Sequence, residues 1–290
     1  MTSFQAVRLV RRWSGERRSG HGGTLDPMAT GVLPILLGQA TRVAEFLSEH
    51  RKVYHAEITL GAATETYDAA GRITTTCDPS AVTREDLEPV LPRFRGLIEQ
   101  TPPPYSAVKI AGERAYRLAR AGLPVQAPPR PVHVYALELR EWLPPRFTLG
   151  IECGSGTYVR SLAHDIGQAL GCGAHLSALV RVRVGPFRLQ DALELETLKE
   201  LLGQAGAPAL LTPFDSILLQ WHAAVVNEAH ARDLSTGKQL AFRANSAARC
   251  RAYDTQGSLV ALLRPDGGER WHPFKVFSTA ASEEQQPGTA

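Results

Sequence analysis

The segment VYHAEITLG, residues 53–61, alternates without a break. Tyr54, Ala56, Ile58 and Leu60 fall on one side, and His55, Glu57 and Thr59 on the other. A period of two over this length predicts a strand with one buried face. The chain must therefore build a sheet and cover one side of it. A second strand is predicted for RFTLGIECGSG (146–156), running through the turn Gly154–Gly156 into the helical segment TYVRSLAHDIGQALG. Helical spacing also covers residues 4–12, with Val7, Leu9 and Val10 on the apolar side, and a helix is expected at 40–49. Thr83 and Asp86 in TREDL read as a capping box opening another. TETYDAAGRI reads as a turn around Gly71 leading to a short strand. Strands and helices without regular βαβ alternation predict an α+β fold.

At 290 residues the chain exceeds one ordinary compact domain. Around Pro213–Gln220 its character changes to short strands and glycine turns, predicting a large first domain over 1–216 and a small β-rich second domain over 217–278. The polar end, 279–290, is expected to be disordered. No apolar run approaches the ~20 residues of a membrane-crossing helix, so no membrane partner is expected. The start, MTSFQAVRLVRRW, does not read as a secretory signal. Four scattered cysteines without a CxxC pair read as reduced thiols of a cytoplasmic protein, with no disulfide frame and no metal site. Cys172 and His175 in CGAH lack the second pair that zinc requires.

Net charge is only +3, yet 27 of the 32 basic residues are arginine. Arginine's planar fork suits phosphates and stacked bases; a GC-rich genome gives the same bias. Two clusters favour the first account: Arg8, Arg11, Arg12, Arg17 and Arg18 near one acid, and Lys109, Arg114, Arg117, Arg120 and Arg130 near Glu113. The second cluster lies in a proline-bounded excursion, about 102–131, that carries a short basic helix.

The stretch GHGGTLDP holds one carboxylate, Asp26, in a glycine-rich turn. Three readings are open on the residues alone. It is a phosphate cradle, although it lacks GxGxxG and the GK[ST] ending. It is a structural turn in which Asp26 accepts backbone N–H bonds before Pro27. Or it carries a catalytic carboxylate, with the glycines leaving room for close approach.

Four blocks then occur in a fixed order: GHGGTLDPMATGVLPILLGQATR, KVYHAEITLGAATETYDAAGRI, TPPPYSAVKIAGERAYRLARAG and GSGTYVRSLAHDIGQALGCGAHLSAL, with VGPF after them. Over about Thr2–Phe187 the chain resembles the TruB-type pseudouridine synthases, the bacterial family acting on tRNA uridine 55. The segments LSTGKQLAF, YDTQGSLVALL and WHPFKVF resemble, more weakly, the PUA-type RNA-binding domain of bacterial members. The resemblance implies an isomerase with a largely antiparallel mixed sheet, flanking helices and a C-terminal PUA-like domain. It implies tRNA as partner, gripped at the T-arm by the excursion and at the acceptor arm by the C-terminal domain. It also implies a monomer with no obligate protein partner. The reaction breaks a glycosidic bond and rejoins the same base through carbon, so no redox cofactor or metal is required.

Residue by residue, Asp26 matches the family's essential aspartate, as nucleophile or as base at the sugar. Arg160 in GTYVR matches its arginine partner, whose cation opposes protonation of the carboxylate. Tyr54 matches a tyrosine beside the target base; its strand position alone says core. His21 matches a residue contacting displaced nucleotides, since the uridine must be flipped out. Tyr158 and Leu179 match residues lining the uridine pocket, and Asp68 an acid that exchanges partners with the arginine. On pattern alone His21 is a solvated loop residue, Leu179 a core leucine and Arg160 a surface helix residue.

Two departures stand out. Members usually open with a strand bearing a Lys-Pro-x-Gly turn ahead of the Thr2-Ser3 pair. The expectation is that the start codon lies upstream or that this member lacks the strand. Val180 stands where an arginine is common, which weakens one expected phosphate contact. Two other functions compete: a guide-RNA-dependent pseudouridine synthase, against which the basic excursion argues, and a silent tRNA-binding or folding protein, against which Asp26, Tyr54 and Arg160 argue.

Overall fold

In a computed structural model, the described residues are 1–106, 108–110, 112–121, 123, 127–205, 207–242 and 248–277. The expected disordered tail lies outside them. The chain forms two compact units, Met1–Leu210 and Leu211–Ala290.

The alternating segment is the centre of the first unit. It forms the strand Lys52–Leu60, paired antiparallel with Arg146–Cys153 on one side and Ala174–Val184 on the other. Across the sheet the strands run Phe187–Arg188, Ala174–Val184, Lys52–Leu60, Arg146–Cys153, Arg130–Leu143 and Gly96–Gln100, all antiparallel. A two-residue strand, Thr30–Gly31, adds parallel to Val180–Arg181. The predicted inward face is the observed one: Ala56, Ile58 and Leu60 are buried with Leu149, Ile151, Leu137 and Leu176. The sheet is largely antiparallel with helices against it, as the resemblance implied.

The helix Val159–Ala169 covers this face through Leu162, Ala163 and Ile166. It lies unusually close because Gly167 faces the strand Ala174–Val184. A Cβ there would sit 2.2 Å from the Ala174 nitrogen. Glycine inside a helix costs roughly 0.5–1 kcal/mol against alanine; here that cost is offset by contact no other residue permits.

The helix Ser3–Ser14 is closed by a capping box, Thr2 with Gln5, and ends at left-handed Gly15. The Thr83–Asp86 box opens a single turn, Arg84–Leu87. The excursion carries a small hairpin (Lys109–Ile110 with Glu113–Arg114) and the helix Ala115–Arg120.

The second unit holds a five-stranded sheet in the order His222–Val225, Cys250–Tyr253, Leu259–Pro265, Arg270–Val276, Leu240–Ala241. Only the first pair is parallel. A helix, Glu228–Ser235, capped by Asn227, packs Leu234 into a core of Cys250, Ala252, Val260, Leu263 and Trp271. This helix was not apparent among the strand and turn signals.

Candidate active site

Asp26 sits on a loop pinched at its base. Ser19–His21 pairs with Ile35–Leu37, and the Gly22 N–H donates to the Pro34 carbonyl. The room left by its glycines is taken up by protein. A Cβ on Gly31, whose φ is +101°, would lie 2.3 Å from the Arg181 carbonyl oxygen, and one on Gly22 would run into the Leu47 side chain. The loop is anchored further by Ser3, whose Oγ accepts from the Leu25 N–H at 2.9 Å. The Ala29 N–H closes a turn onto the Asp26 carbonyl.

Arg160 stands in the first turn of the helix Val159–Ala169 and meets Asp26 with both prongs: Nε to Oδ2 at 2.9 Å and Nη2 to Oδ1 at 3.1 Å. Bidentate pairing of this kind fixes orientation as well as charge. Arg160 also donates to the carbonyls of Thr66 (3.0 Å) and Tyr105 (3.2 Å) and stands 3.6 Å from Asp68. The arginine and Asp68 are buried, with side chains 7% and 8% exposed, whereas the Asp26 side chain keeps 32%. The buried cation therefore presents a carboxylate that remains reachable. Asp68 is itself held by the Thr66 hydroxyl (2.6 Å) and the Ala70 N–H (3.1 Å). This turn forces Tyr67 into left-handed backbone, φ 64°, and the ring stacks on His164 at 3.8 Å. Non-glycine residues adopt that conformation only where surroundings over-determine it.

Tyr54 is partly buried on the inward face of its strand. Its ring packs on the core, and burial, the largest cause, pushes its hydroxyl up to about 12. Cys153 and Asp26 raise it further, and the Arg181 cation opposes the rise. His21, at the root of the loop, has a buried Nδ1 with no hydrogen-bond partner. Burial and then the Arg181 cation hold its pKa below the usual 6.5, so it is neutral at pH 7. Tyr158 begins the helix Val159–Ala169, its ring 5.1 Å from the Arg130 guanidinium. Leu179 is buried in the core cluster beside Ala56. Val180 pairs with Thr30 rather than standing free.

Arg181 and Gln100 escaped the sequence reading. Arg181, 2% exposed, donates to the carbonyls of Val32 (2.8 Å), Gly23 (3.0 Å) and Thr24 (3.4 Å), tying together both arms of the Asp26 loop. Gln100, also 2% exposed, accepts from the Tyr158 N–H at 2.7 Å and donates to its carbonyl at 3.0 Å. The available signal was parity: Arg181 falls two residues after inward Leu179. Among the described residues, no group of three or more His, Cys, Asp or Glu could hold a metal, and the four cysteines are free.

The family model for the TruB pseudouridylate synthase N-terminal domain matches residues 11–159, and that for the tRNA pseudouridylate synthase B C-terminal domain matches 160–219. The chain is 42% identical over 280 residues to tRNA pseudouridine synthase B of Dehalococcoides mccartyi, covering 96% of this chain and 93% of the relative. It is 46% identical over 231 residues to the protein of that name in Pseudomonas aeruginosa, covering 79% and 76%. In three dimensions it is similar to a chain of a crystal structure of a Cbf5–Nop10–Gar1 complex, with a TM-score of 0.73 and 26% identity over 96% of this chain and 82% of that one. Fold and matches define an isomerase of the pseudouridine synthase class. The chain belongs to the TruB family of pseudouridylate synthases.

Proposed function

We propose that this chain converts uridine to pseudouridine at position 55 in the T-loop of tRNA. The observation that carries the reading is the Asp26–Arg160 pair, a carboxylate held in one orientation by a buried fork yet open on its remaining side. The isomerisation needs one reactive carboxylate, a way to keep it ionised and a pocket that admits an extruded base. Arg160 sets a positive charge and two donated hydrogen bonds against that carboxylate. Asp26 attacks the sugar or base, or takes the proton at C2′. Tyr54 and Tyr158 flank the base, Leu179 contributes to the apolar floor, and neutral His21 contacts the displaced nucleotides. Asp68 competes with Asp26 for Arg160. The matches to proteins named tRNA pseudouridine synthase B support tRNA as the substrate.

The basic excursion at 102–131 clamps the T-arm in this reading. The side chains of Lys109, Arg114 and Arg120 lie outside the described residues; Arg117 is exposed and pairs with Glu113 at 3.6 Å. Residues 1–216 act as the catalytic domain and 217–278 as a PUA-like module on the acceptor arm. The enzyme works as a monomer in the cytoplasm, with no obligate protein partner and no cofactor. No helix among the described residues is long and apolar enough to cross a membrane.

The deciding experiment is Asp26→Asn, assayed on a T-arm stem-loop labelled at C5 of uracil. Arg160 retains the Thr66 and Tyr105 carbonyls and Asp68, so the variant should fold and bind RNA like the parent while label release becomes undetectable. Turnover within about tenfold of the parent, ~1.4 kcal/mol of barrier, overturns the assignment.

A further inference from the structure

Consecutive residues of one turn clasp the helix Val159–Ala169 at two places. Thr66 and Asp68 meet Arg160: the Thr66 carbonyl accepts from Nη1 at 3.0 Å, and the Asp68 carboxylate stands 3.6 Å from the same nitrogen. Tyr67, between them, stacks on His164 with ring centroids 3.8 Å apart and planes 9° from parallel. Arg160 and His164 are spaced i and i+4, so they share one face of the helix, a turn apart.

The stack carries a cost on both sides. Tyr67 has φ 64°, a conformation that glycine adopts freely and tyrosine does not. His164 has a buried Nδ1 with no hydrogen-bond partner among the described residues, and burial holds its pKa below 6.5, so the ring is neutral at pH 7. A glycine would make the turn without strain, so the turn alone does not explain the pair. Backbone bonds already tie the turn to the strand Ala174–Val184: the Leu176 N–H donates to the Tyr67 carbonyl and the Ala69 N–H to the Leu176 carbonyl. Those bonds fasten it to the sheet, whereas the stack fastens it to the helix that carries Arg160.

We infer that Tyr67 and His164 are positioning residues for Arg160. Their stack seats the turn on the helix, so that Thr66 and Asp68 occupy Nη1 while Nε and Nη2 stay directed at Asp26. Without the stack the turn keeps its place on the sheet but can lift from the helix. The fork then loses the contacts that set its angle to Asp26. The inference rests on the reading of Asp26 and Arg160 as the active site.

The test uses the full chain. Tyr67→Gly removes the ring and suits the left-handed backbone, so it separates the stack from backbone strain. It should lower kcat on the T-arm stem-loop by about tenfold or more and leave KM within about twofold of the parent. Tyr67→Phe and His164→Phe keep a flat ring at each place and should turn over like the parent. The ¹⁵N resonance of Arg160 Nε, assigned by its loss in Arg160→Lys, should move in Tyr67→Gly and stay in place in Tyr67→Phe. An unmoved resonance or an unchanged kcat in Tyr67→Gly overturns the proposal. So does a loss of about tenfold in His164→Phe, since the imidazole would then act through its nitrogens and not its face. If Tyr67→Gly does not fold, His164→Ala replaces it, and the two phenylalanine variants still decide. A parent without turnover on the stem-loop defeats the proposed function, while the Arg160 resonance still tests the stack.

Discussion

At the scale of single residues, the site is a set of charges whose burial has been arranged unequally. Asp165 shows the same physics outside the chemistry. Burial alone lifts its carboxyl from 3.8 to about 6. A raised carboxyl pKa means that the folded chain binds the proton more tightly than the unfolded one. Folding is therefore favoured below about pH 4, and that advantage is lost as pH rises through 6. Asp165→Asn should stabilise the fold at pH 8 by on the order of 1–3 kcal/mol, seen as a higher melting temperature, and leave it nearly unchanged at pH 4. Melting curves at the two pH values check this; an equal shift at both would point to packing instead of charge. His164 carries the opposite dependence, since burial lowers its pKa and stability is lost as pH falls below 6.5.

At the scale of elements, the inward face of Lys52–Leu60 could be read from Tyr54, Ala56, Ile58 and Leu60 because strand parity is a local property. The strand–turn–helix from Arg146 to Ala169 was legible for the same reason. Asp26, Arg160 and Asp68 were assigned by resemblance, since no spacing rule ties residues 134 positions apart. Arg181 and Gln100 went unread because their partners are loop carbonyls and a main-chain amide at separations of 58 to 158 residues. Pattern rules describe which face a residue occupies and are silent about what it meets there. Gly167 is such a case, a helix residue whose meaning lies in the opposite strand. Gly167→Ala gains about 1 kcal/mol of helix propensity. It loses more, on the order of 1–3 kcal/mol, because the new carbon meets the Ala174 backbone instead of a flexible side chain. Urea denaturation should report net destabilisation, and turnover should fall because the same helix carries Arg160. An unchanged midpoint would show that the helix can move away freely.

At the scale of the whole molecule, grip and chemistry should separate. Changing Arg114, Arg117 and Arg120 to alanine should weaken tRNA binding and flatten its salt dependence, by up to about one unit of slope per lost phosphate contact. An unaltered slope would make that helix an ordinary solvated face. Ending the chain near Leu219 should raise KM for full tRNA and leave kcat on the isolated stem-loop close to the parent value. A fall in stem-loop kcat would assign the second unit a share in the site.

The position of the central strand has a consequence for how the protein is made. Lys52–Leu60 leaves the ribosome early, but its two sheet neighbours, Arg146–Cys153 and Ala174–Val184, arrive late. At 5–20 residues per second, the 124 residues between Leu60 and Val184 take roughly 6 to 25 s to synthesise. Both edges of the strand stay bare until Cys153 has been made and one stays bare until Val184 has, an interval in which unpaired edges are open to aggregation. Throughout it, the fork that orients Asp26 and the arginine that holds its loop have not been brought into place. The growing polypeptide is chemically silent toward the tRNAs delivering its own amino acids until the first unit has closed.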